Sequence, residues 1–134
     1  MISKKINSVG IVVKPGHEEA MATAAQLSVW LRKHRLGESC EMVSAGEISG
    51  GRTPRMKADL IVVLGGDGTM ISAARLVRDP ETLVLGINYG SLGYLTDFRI
   101  EEMFPAVEAI IAGNYEIDRR VMLEAEHWRG EERL

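Results

Sequence analysis

Apolar residues along this chain come in two alternating patterns. Residues 6–13, INSVGIVV, and 59–64, DLIVVL, are nearly continuous apolar runs rich in β-branched residues. Such runs suit strands covered on both faces, as in a parallel sheet. Residues 82–88, TLVLGIN, read the same way, and 39–44, SCEMVS, form a weaker strand candidate. Between the runs the period lengthens. Ala20, Ala24, Leu27 and Leu31 fall at i, i+4, i+7 and i+11, one face of a helix over 18–36 that Gly37 is placed to end. A second helix is expected from Met70 to Arg78. A third, over 101–112, carries Met103, Val107, Ile110 and Ile111 on one stripe, with Pro105 near its start. Residues 115–128, YEIDRRVMLEAEHW, alternate enough to be strand.

Strand and helix patterns that take turns predict an α/β fold: a layered, largely parallel sheet with helices on both faces. The remaining segments are loops. AGEISGGRTPRMKA, 45–58, holds three glycines and a proline, and YGSLGYLTD, 89–97, is punctuated by glycine. In sheets of this kind ligands bind at the carboxyl ends of the strands. The glycine-rich stretches after Leu64 and after Ile87 both fall at such ends. If their strands are neighbours, the two loops face one crevice.

Composition narrows the function classes. At 134 residues the chain is long enough for one domain with a proper core. It is 46% hydrophobic and 26% charged, as in a soluble globular protein, with a formal net charge of -3. That balance provides no electrostatic footprint for nucleic acid. The first apolar stretch, Val9 to Val13, is too short for a signal core or a membrane span. A single cysteine, Cys40, allows no internal disulfide and reads as a small strand residue. A reducing cytoplasm fits, with neither nucleic acid nor membrane as partner. His17, His34 and His127 show no metal-ligand spacing, His34 reads as lying near a helix end, and Trp30 reads as core packing.

The chemistry concentrates in Gly65-Gly66-Asp67-Gly68-Thr69. Glycines let a ligand touch the main chain, and a helix N-terminus offers N–H donors with a partial positive charge. The stretch is not a Walker-type loop, since no Gly-Lys-Thr or Gly-Lys-Ser follows. Nor is it GxGxxG, since Ile71 occupies the third glycine position. Asp67 has two readings. It caps the helix that follows, or, with three glycines clearing space around it, it accepts a proton from a sugar hydroxyl or holds a metal ion bridging phosphates. Thr69 reads as a cap or a phosphate contact rather than a nucleophile. In the second loop Asn88 offers an amide at a strand end. Tyr94 offers a stacking face, or is simply a core aromatic in a turn. Asp97 reads as a cap for the next helix.

LGGDGT together with GINYGSLGYLTD resembles the signature of NAD kinases, and the runs VGIVVKP and RRVMLEA are also similar to that family. The resemblance spans essentially the whole chain. GGDGT alone is shared with diacylglycerol-type lipid kinases, and phosphofructokinases have a related loop. The second motif is much more specific. The resemblance implies transfer of a phosphoryl group from ATP, or in some members polyphosphate, to the 2′-hydroxyl of the adenosine ribose of NAD, with a divalent metal ion, Mg or Mn. It gives Asp67 the role of acting on that hydroxyl and Gly68 a contact with NAD. Gly66, Thr69 and Asn88 join the binding set as parts of the two loops. Leu92 and Tyr94 match positions that line the adenine side of the pocket, Tyr94 standing where phenylalanine is usual. Ser72 stands where some members carry a basic residue, so a phosphate contact from that position is missing here.

The family's fold implies a Rossmann-like half followed by a β-rich domain. The corresponding division is an α/β nucleotide-binding domain over 1–125 and the start of a truncated second domain over 126–134. A homo-oligomer is expected from the resemblance, and a strand over 115–128 without pairing partners would invite association. The piece alone is expected to be poorly active, because positioning supplies much of a phosphoryl-transfer rate. Two other readings remain open at this point, a GGDGT-type lipid kinase and a nucleotide-binding module without chemistry.

Overall fold

The computed structural model describes residues 5–14, 16–36, 41–44, 58–77, 81–89, 96, 98–117, 128–129 and 132–133; for 41–44, 128–129 and 132–133 only the main chain is described. The expected strands form: β1 is Val9–Val13, β2 Glu41–Ser44, β3 Leu60–Leu64 and β4 Leu83–Asn88. A further strand, β5, is Phe98–Arg99. The helices are α1, Glu18–Lys33, α2, Asp67–Ala74, and α3, Met103–Ile111, the last preceded by a 3-10 turn over Ile100–Glu102.

β1 to β5 make one sheet in the order β2-β1-β3-β4-β5, with every pairing parallel. The strands run outward in both directions from the β1–β3 pair, which makes the sheet doubly wound. Right-handed crossovers then send β1-α1-β2 and β3-α2-β4 to opposite faces. The core divides accordingly. Ile11, Val13, Leu60, Val62, Leu64, Leu85 and Ile87 pack with Ala20, Ala24, Leu27 and Leu31 of α1 and with Met103 and Val107 of α3. Val12, Ile61 and Val63, the alternate positions, pack with Ala73 and Leu76 around α2. All five residues of β1 and of β3 are buried, as strands covered on both faces require.

Helix ends depart from expectation in instructive ways. α1 stops at Lys33, before Gly37, because Arg35 takes the left-handed conformation at φ 64°. The Leu36 N–H then reaches the Leu31 carbonyl at 2.8 Å and the Arg35 N–H reaches Arg32 at 3.1 Å, a complete Schellman closure. Leu31 and Leu36 are both buried in the core beneath it. α2 starts at Asp67 rather than Met70, so its N-cap is Gly66. Trp30 is half-buried and packs against the core between α1 and α3, with its ring 5.8 Å from Phe104, and His34 stacks on it near the end of α1.

Of the strand expected over 115–128 only Trp128 is seen as strand, at the start of Trp128–Arg129, which pairs antiparallel with Glu132–Arg133. Residues 115–117 are not strand, and 118–127 lie outside the described residues. β5 was not expected. It pairs only with the last two residues of β4, Ile87 with Phe98 and Asn88 with Arg99. A parallel partner normally needs a long return crossover. Here β5 begins level with the end of β4, so no return along the length of β4 is needed before the two pair.

Candidate functional site

The carboxyl edge of β3 is where the sequence placed its chemistry. β3 and β4 are hydrogen-bonded neighbours, and the Gly65 N–H extends their ladder to the Ile87 carbonyl at 3.0 Å. On the other side Lys14 N–H bonds the Leu64 carbonyl at 3.0 Å. The two glycine-bearing loops therefore begin side by side, beside the β1–β3 switch point where doubly wound sheets bind ligands.

The glycines of the first loop do different things. A Cβ on Gly65 would lie 2.8 Å from Thr69 Cβ, so Gly65 is glycine because the first turn of α2 sits on it. Gly66 and Gly68 have no atom within 4 Å of such a Cβ, and neither has a positive φ. Nothing inside the fold asks for glycine at either position. Gly68 is even costly, since it lies within a helix, where alanine is better by about 1 kcal/mol. Open space over main chain at a helix N-terminus is what a bound anion requires.

Asp67 is the first residue of α2 and is half-buried. The capping expectation for it is corrected: Gly66 in an extended conformation (φ -123°, ψ -163°) occupies the cap, and the first helical bond runs from Met70 N–H to the Gly66 carbonyl at 3.0 Å. A carboxylate in the first turn still gains from the helix dipole. Thr69 is not the cap either. It is 8% exposed, with its side chain lying against Gly65.

Asn88 ends β4, and its Nδ2 donates to Thr96 Oγ1 at 3.1 Å. Beside it a cleft of about 400 Å3 opens among Glu19, Asn88, Tyr89, Arg99, Ile100 and Glu101. Asp67 is not among those lining residues, so the structure brings Asp67 and Asn88 to one edge without joining them in this cleft. Leu92, Tyr94 and Asp97 lie outside the described residues. Among the described residues no group of three or more His, Cys, Asp or Glu is arranged for a metal ion. Among them, too, no helix is long and apolar enough to cross a membrane.

Two participants escaped sequence reasoning. His17 caps α1, its Nδ1 accepting the Ala20 N–H at 3.0 Å. Its ring meets Tyr89 at 4.7 Å, and Tyr89 Oη donates to the Glu19 carbonyl at 3.3 Å. The chain leaving β4 is thereby tied to the first turn of α1. Burial pushes the Tyr89 phenol above its ordinary value of 10.0; a hydrogen bond with Thr23 opposes the rise and the Glu19 carboxylate adds to it. The signal for His17 was its place directly before Glu18-Glu19, an acidic first turn. For Tyr89 there was none, because its partners are some seventy positions away.

Known proteins bear on this geometry. Residues 51–115 match the family described as ATP-NAD kinase N-terminal domain. The NAD kinase of Geotalea daltonii is 40% identical over 130 residues, covering 93% of this chain and 46% of that protein. That of Heliobacterium modesticaldum is 37% identical over 123 residues, covering 88% and 44%. The chain thus spans just under half the length of the curated relatives it matches. Among solved structures, yeast NADH kinase complexed with NADH superposes with a TM-score of 0.59 at 20% identity, over 83% of this chain and 39% of that one, a likeness of fold. The family first indicated by LGGDGT and GINYGSLGYLTD is therefore the one these comparisons point to: the chain is similar to the NAD kinases over their N-terminal domain.

Proposed function

We propose that this chain carries the phosphate-binding half of an NAD kinase, which transfers a phosphoryl group from ATP to the 2′-hydroxyl of the adenosine ribose of NAD and yields NADP. The observation that carries the reading is the pair of open glycines, Gly66 and Gly68, flanking Asp67 at the start of α2. In this reading the main chain at Gly66 and Gly68 contacts ligand directly. Asp67 accepts the proton of the attacking hydroxyl, a role suited to a carboxylate that remains partly accessible. Asn88 supplies an amide from the adjacent strand, and Leu92 and Tyr94 line the adenine side. Thr69 supports the loop from beneath.

A carboxylate beside a phosphate site also suits Mg or Mn, which commonly binds one or two carboxylates together with substrate phosphates. Asp67 would hold it, and the ion would neutralise charge on the transferred group. The remaining determinants of the pocket, and a homo-oligomeric assembly in the cytoplasm, belong to the same proposal. So does a division of the chain at residue 125, with polyphosphate as the other candidate donor.

Calorimetry of the chain with NAD, ATP and a short-chain diacylglycerol tests the substrate class. Binding of NAD without lipid supports the reading, and binding of lipid without NAD overturns it. In the full-length gene product, Asp67→Asn is expected to lower NADP formation at least ~100-fold while NAD affinity changes little. Turnover that survives the substitution would remove Asp67 from the chemistry.

A further inference from the structure

We infer that Thr96 is a positioning residue for the nucleotide site, acting through Asn88; the inference rests on the reading of Asn88 as a ligand contact. Thr96 is 1% exposed and is held between two elements. Its hydroxyl accepts the Asn88 Nδ2–H at 3.1 Å. Its methyl faces Gly86, where an added Cβ would lie 2.9 Å from Thr96 Cγ2 and 3.3 Å from its Cα. The same Cβ would lie 2.9 Å from Sδ of Met70, in the first turn of α2. Gly86 is therefore a notch in β4 that receives Thr96 from one direction and α2 from the other.

The face matters. Gly86 pairs in register with Val63, whose side chain belongs to the α2 layer. Asn88 lies two residues further along β4 and so shares that face. Thr96 thus acts on the side of the sheet that carries α2, the helix whose first residue is Asp67. A terminal amide rotates over a broad, roughly two-fold torsional profile. Committing its nitrogen to Thr96 Oγ1 fixes the rotation of the Asn88 amide. Asn88 is presented ready-oriented, so less ordering is required on binding.

Packing alone predicts a different result from positioning, and two substitutions separate them. Thr96→Val keeps the branched shape over Gly86 and removes the hydroxyl. Thr96→Ser keeps the hydroxyl and removes the methyl. Calorimetry with NAD on the full chain is expected to show Thr96→Val weakening binding roughly three- to tenfold, the loss of one oriented hydrogen bond. Thr96→Ser should stay within about twofold of the parent. Asn88→Ala should weaken binding at least as much as Thr96→Val, and the double variant no more than Asn88→Ala alone.

If Thr96→Val binds NAD like the parent while Asn88→Ala is weakened, the positioning role is wrong and the site stands. If Asn88→Ala and Gly68→Ala both bind NAD like the parent, the site itself is wrong. Should Thr96→Val fail to fold, the side-chain amide of Asn88 in the parent provides a second readout by NMR. Slow exchange with a shift on adding NAD supports the inference, and fast, unshifted amide protons overturn it.

Discussion

The two edges of the parallel sheet are finished by opposite means. At the amino edge, side chains close the strand starts. Asp59 Oδ2 accepts the N–H groups of Asn7 at 2.8 Å and Ser8 at 3.2 Å, and the Ser8 hydroxyl at 3.4 Å. Asp59 N–H is itself shared between the Ser8 carbonyl and hydroxyl, each at 3.0 Å. The Thr82 hydroxyl bonds the Ala58 carbonyl at 3.0 Å, which fastens β4 to the same stitch. At the carboxyl edge of β3, glycine replaces side chains, and two of those glycines look out on open space. One edge satisfies its main chain internally. The other keeps main chain within reach of a ligand. In the proposed reading, stability and recognition are thereby assigned to opposite ends of the same strands.

Substitutions at the two edges sharpen or break this division. The largest effect is expected at the amino edge. Asp59→Ala strips three donors of a half-buried acceptor and should cost about 2–3 kcal/mol in a urea melt, while NAD binding by the remaining folded fraction is unchanged. A loss of affinity in that fraction would blur the two edges. Next comes Gly65→Ala, whose Cβ would meet Thr69 at 2.8 Å. Overpacking of this kind should cost about 2 kcal/mol, and a neutral result would show that α2 lifts easily.

Gly68→Ala is expected to do the reverse. With open space for the new methyl, it should stabilise the fold by about 0.5–1 kcal/mol and yet weaken NAD binding. A variant that gains stability and keeps affinity would deprive Gly68 of its role. The smallest effect is alkaline. The Tyr89 phenol is held above its ordinary value of 10.0, so the stability it contributes is fully present below that value. It is lost as pH rises through the higher folded value. The urea midpoint followed from about pH 8 to about pH 11 should fall less steeply for Tyr89→Phe than for the parent.

Much of this was legible in the residues, for identifiable reasons. LIVVL and VGIVV announced buried central strands because burial on both faces leaves no polar alternation to confuse. Ala20, Ala24, Leu27 and Leu31 announced the inner face of α1, and all four are fully buried. Boundaries failed where an unlikely residue took a special role: Arg35 in place of a glycine at the end of α1, Gly66 in place of Asp67 at the start of α2. β5 escaped because two residues carry no period. At the site, GGDGT was legible as a local motif. What a local reading could not supply was the distinction between a glycine crowded by Thr69 and two that are not, since that depends on where α2 lands. The Thr96 and Tyr89 contacts likewise arise from the folding of the chain back on itself.

The central pair of strands also dictates an order of assembly. β1 and β3 lie together in the sheet, yet the bond between Ser8 and Asp59 spans 51 positions of sequence. A nascent chain emerging from the ribosome can form α1 early, but it has no middle until residues 60–64 arrive. Closing so long a loop is slow, and all-parallel pairing offers no nearby hairpin to nucleate on. The other edge of β1 must wait, with only α1 and β2 beside it, which makes the interval before β3 appears the moment of greatest exposure to misassociation.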